Sequence, residues 1–217
     1  MKKLLVWDLP VRLSHWSMMI LIVSAIITGE LGDDLIEQHA LIGYAVLALL
    51  IFRLSWGLVG GKYSRIMTYR YHPKLLFLYL RGKFQPTLGY SPIGLLAVTC
   101  LFSLIWTQAL SGLVSTDDMM FEGPLRHLVG AAWSDKLTAI HKFVGPVLIA
   151  FLVLHLNSIL FYKLVLKENK VHAMLFGYKE VPNDTPDELA GTHGRPIWAI
   201  GLLIISLTSV WYIVNKL

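Results

Sequence analysis

The chain has 217 residues, of which 55% are hydrophobic and only 15% are charged, whereas roughly 25% of the residues of an ordinary soluble domain are charged. This composition predicts a membrane protein. The net charge of +5 does not indicate nucleic-acid binding, because no recognisable nucleic-acid-binding fold accompanies the basic residues. The single cysteine, Cys100, excludes an internal disulfide, a thiolate metal cluster and the signature of covalently attached haem, so metal chemistry would rest on histidine or carboxylate.

Five apolar stretches are each close to the length that crosses a hydrocarbon core about 30 Å thick. They cover residues 13–31, 36–59, 91–115, 136–162 and 196–214. A shorter apolar stretch with basic flanks, residues 71–83, is expected to lie in the membrane interface. The tryptophans near the ends of these stretches are typical of an aromatic belt: Trp7, Trp16, Trp56, Trp133, Trp198 and Trp211.

The beginning of the chain, MKKLLVWDLP, resembles the start of a signal peptide. Asp8 and Pro10 interrupt its apolar run, however, and no small-x-small cleavage site follows. We therefore expect this segment to be retained at the cytoplasmic side.

The charges of the loops predict the orientation of the chain. Seven basic residues and no acidic one lie between Arg53 and Lys83, whereas residues 30–37 contain four acidic residues and no basic one. By the positive-inside rule, the N-terminus and the loop after the second segment are cytoplasmic, and the C-terminus is periplasmic.

The resulting fold class is an all-α membrane protein, a four-helix transmembrane bundle followed by a fifth transmembrane helix. We expect the bundle over residues 1–170, a cytoplasmic connection over residues 171–195 and the fifth helix over residues 196–217. The connection is polar and contains several Pro and Gly residues after its first third, which is typical of a loop with some surface helix.

Eight histidines divide into two groups. Those in loops are expected to be solvated or interfacial side chains: His72, His127, His172 and His193. The others lie in or at the ends of spanning segments, where an ionisable residue is a functional candidate: His15, His39, His141 and His155.

The depths of these four histidines form two levels. His39 and His141 open the second and fourth segments on the outer side, and His15 opens the first segment on the inner side. His155 lies 14 residues after His141, which places it about 21 Å deeper on nearly the same helix face, since a helix rises about 1.5 Å and turns about 100° per residue. Each level therefore contains two histidines from different helices.

Two imidazoles per level, with no carboxylate or thiolate beside them, indicate a metal that is already held by another chelator. A bare zinc ion would need three or four protein ligands, whereas haem brings four nitrogens and needs only axial ligands from the protein. The pattern predicts two non-covalent haem b groups. Because both axial positions of each iron are filled, the expected function is electron transfer.

Neighbouring residues add to this prediction. Gly43 and Gly145 each follow an outer histidine by four residues and would let a porphyrin approach the backbone, although glycine is also common where membrane helices pack. Arg53 lies 14 residues after His39, where it could pair with haem propionates or extend to the inner interface. Arg12 is a second candidate for a propionate contact.

Three runs of this sequence resemble the prokaryotic cytochrome b561 family, which includes the b-type cytochrome subunits of nickel–iron hydrogenases. They are VWDLPVRLSHW, HALIGYAVLALLIFRLSWGLVG and HKFVGPVLIAFLVLHLNSILFYKLV, and the resemblance covers about residues 4 to 180. It implies a four-helix bundle in the bacterial inner membrane with two haem b groups, whose ligands on the first, second and fourth helices correspond to His15, His39, His141 and His155. It also implies electron exchange with membrane quinone and with a partner redox protein.

The leading hypothesis is electron transfer between the quinone pool and a periplasmic redox protein such as a c-type cytochrome. A related alternative is a partner-independent, quinone-coupled oxidoreductase such as a superoxide oxidase. A metal or proton transporter is a different class, but the first four segments carry no Asp or Glu within the membrane core, as pumps usually do. The remaining alternative is a membrane anchor without catalytic function.

Overall fold

The fold is described for residues 1–69, 72–83, 88–117 and 121–216 of a computed structural model. Five helices are long and apolar enough to cross a membrane: α1 (Leu9–Glu30), α2 (Ile36–Val59), α4 (Pro92–Gly112), α6 (Ala131–Leu164) and α8 (Pro196–Lys216). The remaining helices, α3 (Pro73–Leu80), α5 (Arg126–Val129) and α7 (Lys170–Phe176), are short. The five predicted segments are confirmed as helices, and Leu217 and Tyr71, at the edges of two predicted stretches, lie outside the described residues.

Side-chain caps explain where two of the spanning helices begin. The carboxylate of Asp8 accepts a hydrogen bond from the backbone N–H of Val11, and the hydroxyl of Ser91 accepts one from Gly94. A proline follows each cap within the first turn, where its missing N–H costs no helical hydrogen bond. The interrupting Asp8 of the N-terminal run is therefore the start signal of α1.

The spanning helices form two closely packed pairs, α1 with α2 and α4 with α6. Helix α2 joins the pairs because it also packs against α4, and α8 lies against α2. An apolar core between the pairs contains Met18, Ile22, Val46, Leu50, Leu101, Ile105 and Leu148. A second cluster, in which Val210 of α8 contacts Leu47 and Ala48 of α2, attaches the fifth helix to the side of the four-helix bundle.

The polar connection packs against the N-terminus and against the loop after α2 at one end of the bundle. Strand β1 (Lys2–Leu5) pairs antiparallel with β2 (Tyr178–Val181), a small ribbon that the sequence did not predict. The hydroxyl of Tyr63 donates to the carbonyl of Leu189 at 2.7 Å, and the backbone N–H of Lys62 donates to Thr192 Oγ1 at 3.0 Å. We call residues 1–8, 60–69 and 177–195 together the ribbon end.

The prediction of an aromatic belt is wrong for two tryptophans. Trp7 and Trp56 are buried in the apolar cluster of the ribbon end, and Trp56 has no exposed surface. The ring of Trp56 stacks on Phe52 with centroids 6.1 Å apart, and its indole N–H donates to both carboxylate oxygens of Asp8 at 3.2 and 3.1 Å. These rings therefore hold the start of α1 and the end of α2 together rather than contacting lipid.

Candidate metal centre

His39 and His141 face each other at the end of the bundle opposite the ribbon end. Their ring centroids lie 6.1 Å apart, and the ring planes cross at 88°. His39 lies in the first turn of α2, and His141 lies in the third turn of α6. The structure thus brings together the two histidines that were predicted to lie at the outer level.

The separation of these rings fits a shared metal ion. An imidazole nitrogen binds a transition metal at about 2.0 Å and lies about 1.1 Å from its ring centroid, so two imidazoles on opposite sides of one metal have centroids about 6 Å apart. The 6.1 Å separation of His39 and His141 matches this value.

The hydrogen bonds of both rings leave the same nitrogen free for a metal. His39 Nδ1 lies 2.9 Å from the carbonyl oxygen of Ala25, and His141 Nδ1 lies 2.9 Å from that of Gln108. A carbonyl only accepts, so Nδ1 carries the hydrogen in each ring and Nε2 keeps its lone pair. This is the usual arrangement of a metal-binding histidine, whose other N–H is donated to a protein oxygen.

The surroundings of the two rings are alike. Thr28 Oγ1 lies 3.4 Å from His39 Nδ1, and Ser111 Oγ lies 3.2 Å from His141 Nδ1. The next residue is glycine in both helices, at Gly29 and Gly112. Sequence reasoning assigned these residues no part in a site, although the short runs AIITG and QALSG share the same spacing.

His15 and His155 form the second level, on α1 and α6. His155 and Arg53 both lie near His15. His155 lies 14 residues after His141 in the continuous helix α6, about 21 Å further along its axis. The Nδ1 atom of His15 is buried and has no hydrogen-bond partner among the described residues, so its ring lacks the carbonyl support that both outer rings have.

The structure places the two predicted arginines differently. Arg53 lies over the ring of Phe102, with 5.9 Å from its guanidinium carbon to the ring centroid. Arg12 donates from Nη1 to the carbonyl of Leu175 in α7, while its Nε is buried without a partner in the described part of the chain. Arg12 therefore attaches α7 to α1.

The two predicted glycines also differ. A Cβ atom added at Gly43 would meet no atom of the described residues within 4 Å, whereas one added at Gly145 would lie 3.5 Å from the amide nitrogen of Gln108. The backbone beside His39 therefore borders open space, which is what a flat macrocycle on that side requires. Gly145 instead lies in ordinary contact distance of α4.

Within the described ranges, no three His, Cys, Asp or Glu side chains converge to hold a metal ion. Each histidine pair therefore suits a metal that brings its own equatorial ligands, as haem iron does. The loop histidines follow the expectation for the most part, since His72, His127 and His193 are exposed, while His172 is partly buried.

Paired imidazoles within a bundle of spanning helices are the arrangement expected of a membrane haem protein. The chain belongs to the prokaryotic cytochrome b561 family, whose model matches residues 6–177. No curated protein matches the chain. It is accordingly a multi-pass membrane protein that transfers electrons across the membrane by b-type haem. The match ends at residue 177, before all of β2 and all of α8.

Proposed function

We propose that the chain holds two haem b groups, an outer one between His39 and His141 and an inner one between His15 and His155, and that electrons cross the membrane from one to the other. The observation that carries this proposal is the outer pair, with its 6.1 Å separation and its two Nδ1 donors fixed on carbonyls. The inner pair follows from the same helix, α6, at a depth about 21 Å away.

When bound, haem supplies one-electron chemistry at its iron. The protein's part would be to hold each haem by its pair of imidazoles and so to keep oxygen, substrate and water from the iron. The proposed function is therefore electron conduction rather than bond making at the iron.

Two arginines are assigned to the inner haem. Arg53 has no hydrogen bond or ion pair with the described residues and lies within electrostatic range of His15. A partly buried guanidinium without a carboxylate is costly, and a propionate would neutralise it with paired hydrogen bonds. The unpartnered Nε of Arg12 is the second donor that we assign to a propionate.

The charges of the two ends support a direction for the chain in the membrane. The N-terminal strand and the loop up to Lys83, which lie at the ribbon end, are basic, and the opposite end carries the acidic residues of the 30–37 loop together with Asp117 and Glu122. We place the basic end in the cytoplasm. The acidic end then faces the periplasm, where it would attract a basic redox protein such as a c-type cytochrome, while quinone exchanges electrons from within the membrane.

The test is a reduced-minus-oxidised visible spectrum and a haem count of the detergent-purified protein. We expect low-spin b-type bands at two haems per chain, one lost in His39→Ala and the other in His15→Ala. His127→Ala is the matched control, because His127 is exposed and should retain both haems. A colourless wild type, or a haem count that neither His39→Ala nor His15→Ala changes, would refute the proposal.

Activity measurements then separate the functions that the same haems could serve. Reduction of the haems by quinol, followed by electron transfer to an added c-type cytochrome, supports the proposed electron conduction. Turnover of quinone with superoxide in the absence of any partner protein would support the oxidoreductase alternative instead.

A further inference from the structure

The outer histidines lie in a cradle that occurs twice in the bundle. On α1 it consists of Ala25, Thr28 and Gly29, and on α4 it consists of Gln108, Ser111 and Gly112. In each copy a carbonyl oxygen, a hydroxyl and a glycine follow one another at positions i, i+3 and i+4 of one helix. We call these six residues the outer cradle.

Each component of the outer cradle limits the rotation of one ring. The carbonyl accepts the Nδ1 hydrogen at 2.9 Å in both copies, and the hydroxyl gives a second, longer contact to the same atom. The hydroxyl position is itself fixed, because Thr28 and Ser111 donate to carbonyls one turn earlier in their own helices. The ring edge is therefore held by two oxygens of a rigid helix.

The glycines provide the space in which the ring edges lie. A Cβ atom at Gly29 would be 3.1 Å from His39 Cε1 and 3.2 Å from its Nδ1. At Gly112 the corresponding distances to His141 are 3.1 and 3.4 Å. These separations are shorter than ordinary van der Waals contacts, so any side chain at either position would turn or shift the imidazole.

We propose that the outer cradle holds the two axial imidazoles of the outer haem at right angles, with Thr28, Gly29, Ser111 and Gly112 as positioning residues that set the electronic state of its iron. This inference rests on the proposed function, since it assigns His39 and His141 to one haem. It concerns ring orientation, which the haem count does not measure.

The consequence of crossed rings follows from how imidazole interacts with iron. Each ring interacts by its π system with the iron d orbital that lies perpendicular to the ring plane. Parallel rings act on the same d orbital and split it from its partner, whereas rings at 88° act on different orbitals and leave the two nearly equal in energy. A ferric low-spin haem with crossed rings gives a highly anisotropic electron paramagnetic resonance (EPR) signal. One with parallel rings gives a rhombic signal.

The carbonyl contacts have a separate effect on the reduction potential. An imidazole that donates its Nδ1 hydrogen is a more basic ligand, which favours ferric over ferrous iron. A substitution that turns a ring away from its carbonyl should therefore raise the potential of the outer haem.

The experiment is EPR spectroscopy and redox titration of the ferric holoprotein in a His15→Ala background, where the outer haem is the one expected to remain. We expect a highly anisotropic low-spin signal. Gly29→Ala and Gly112→Ala should each shift it towards a rhombic signal and raise the midpoint potential. Gly201→Ala is the matched control, because a Cβ atom there meets no atom within 4 Å in the described part of the chain, and it should leave both readouts unchanged.

The outcomes separate the two proposals. A rhombic signal from the parent protein, or an anisotropic signal that Gly29→Ala and Gly112→Ala leave unchanged, overturns the inference while the haem assignment stands. Absence of haem from the His15→Ala protein and from the wild type overturns the proposed function itself. If either glycine variant loses its haem, the parent spectrum and Ser111→Ala test the inference about ring orientation. Ser111→Ala adds no atom to the site and should raise the midpoint potential of the outer haem.

Discussion

Replacement of Asp8 by alanine should destabilise the protein strongly, because this one carboxylate joins three segments. Its side chain is only 2% exposed and accepts hydrogen bonds from the backbone N–H of Val11 at 3.2 Å, from Trp56 Nε1, and from the backbone N–H of Gly61 at 2.8 Å. Loss of the helix cap costs about 1 kcal/mol. Each of the two remaining donors would be buried without an acceptor, at about 1–3 kcal/mol apiece, so the expected loss is about 4 kcal/mol.

The measurement is thermal unfolding in detergent, followed by circular dichroism. A loss of this size should lower the unfolding temperature by about 10 °C for a chain of this length. Asp187→Ala is the control: this carboxylate is 85% exposed and has one ion pair, with Lys2 at 2.6 Å, so a change of about 1 °C is expected. An unfolding temperature for Asp8→Ala that matches the control would refute the reasoning.

Two further predictions concern the ribbon end and the residues that follow α6. Gly61→Ala would place a Cβ atom 2.0 Å from the carbonyl oxygen of Thr192, so it should displace residues 191–195 and increase their cleavage by a protease, and unchanged cleavage would contradict this contact. Partial burial raises the pKa of Glu168, but the hydrogen bond and charge of Lys170 and the charge of Lys179 outweigh it, and the pKa lies below its ordinary value. Its ion pairs at 2.5 and 3.3 Å therefore stabilise the fold above the ordinary carboxyl pKa, and this contribution is lost as the pH falls. The gap in unfolding temperature between wild type and Glu168→Gln should accordingly close below about pH 4, and a gap independent of pH would contradict the assignment.

The pairing of His39 with His141 was predictable because it depends on few quantities. The length of each apolar stretch, the loop charges and the rise of a helix assign every spanning residue a depth. Two histidines at one depth on different helices can meet if the helices are neighbours. The angle between the rings was not predictable in this way, since it depends on which carbonyl and which glycine of α1 and α4 lie beside them.

Asp8 and Trp56 show the opposite case. Their residue types suggested a break in an apolar run and a membrane-belt tryptophan, both of which are local interpretations. Their actual role is a contact between residues 48 positions apart, and no local pattern reports a contact of that range. The same holds for the ribbon, whose strand β1 finds its partner near the other end of the chain.

The support of each outer histidine comes from its own helix pair. His39 of α2 is held by α1, and His141 of α6 is held by α4, while α1 packs on α2 and α4 on α6. Each pair can therefore fix its imidazole before the pairs meet. The proposed outer haem would join two rings that are already oriented, so that little of its binding free energy is spent on ordering side chains and the ligand geometry changes little when an electron arrives or leaves. His15, whose Nδ1 has no such carbonyl among the described residues, would be oriented to a greater extent by the haem that it binds.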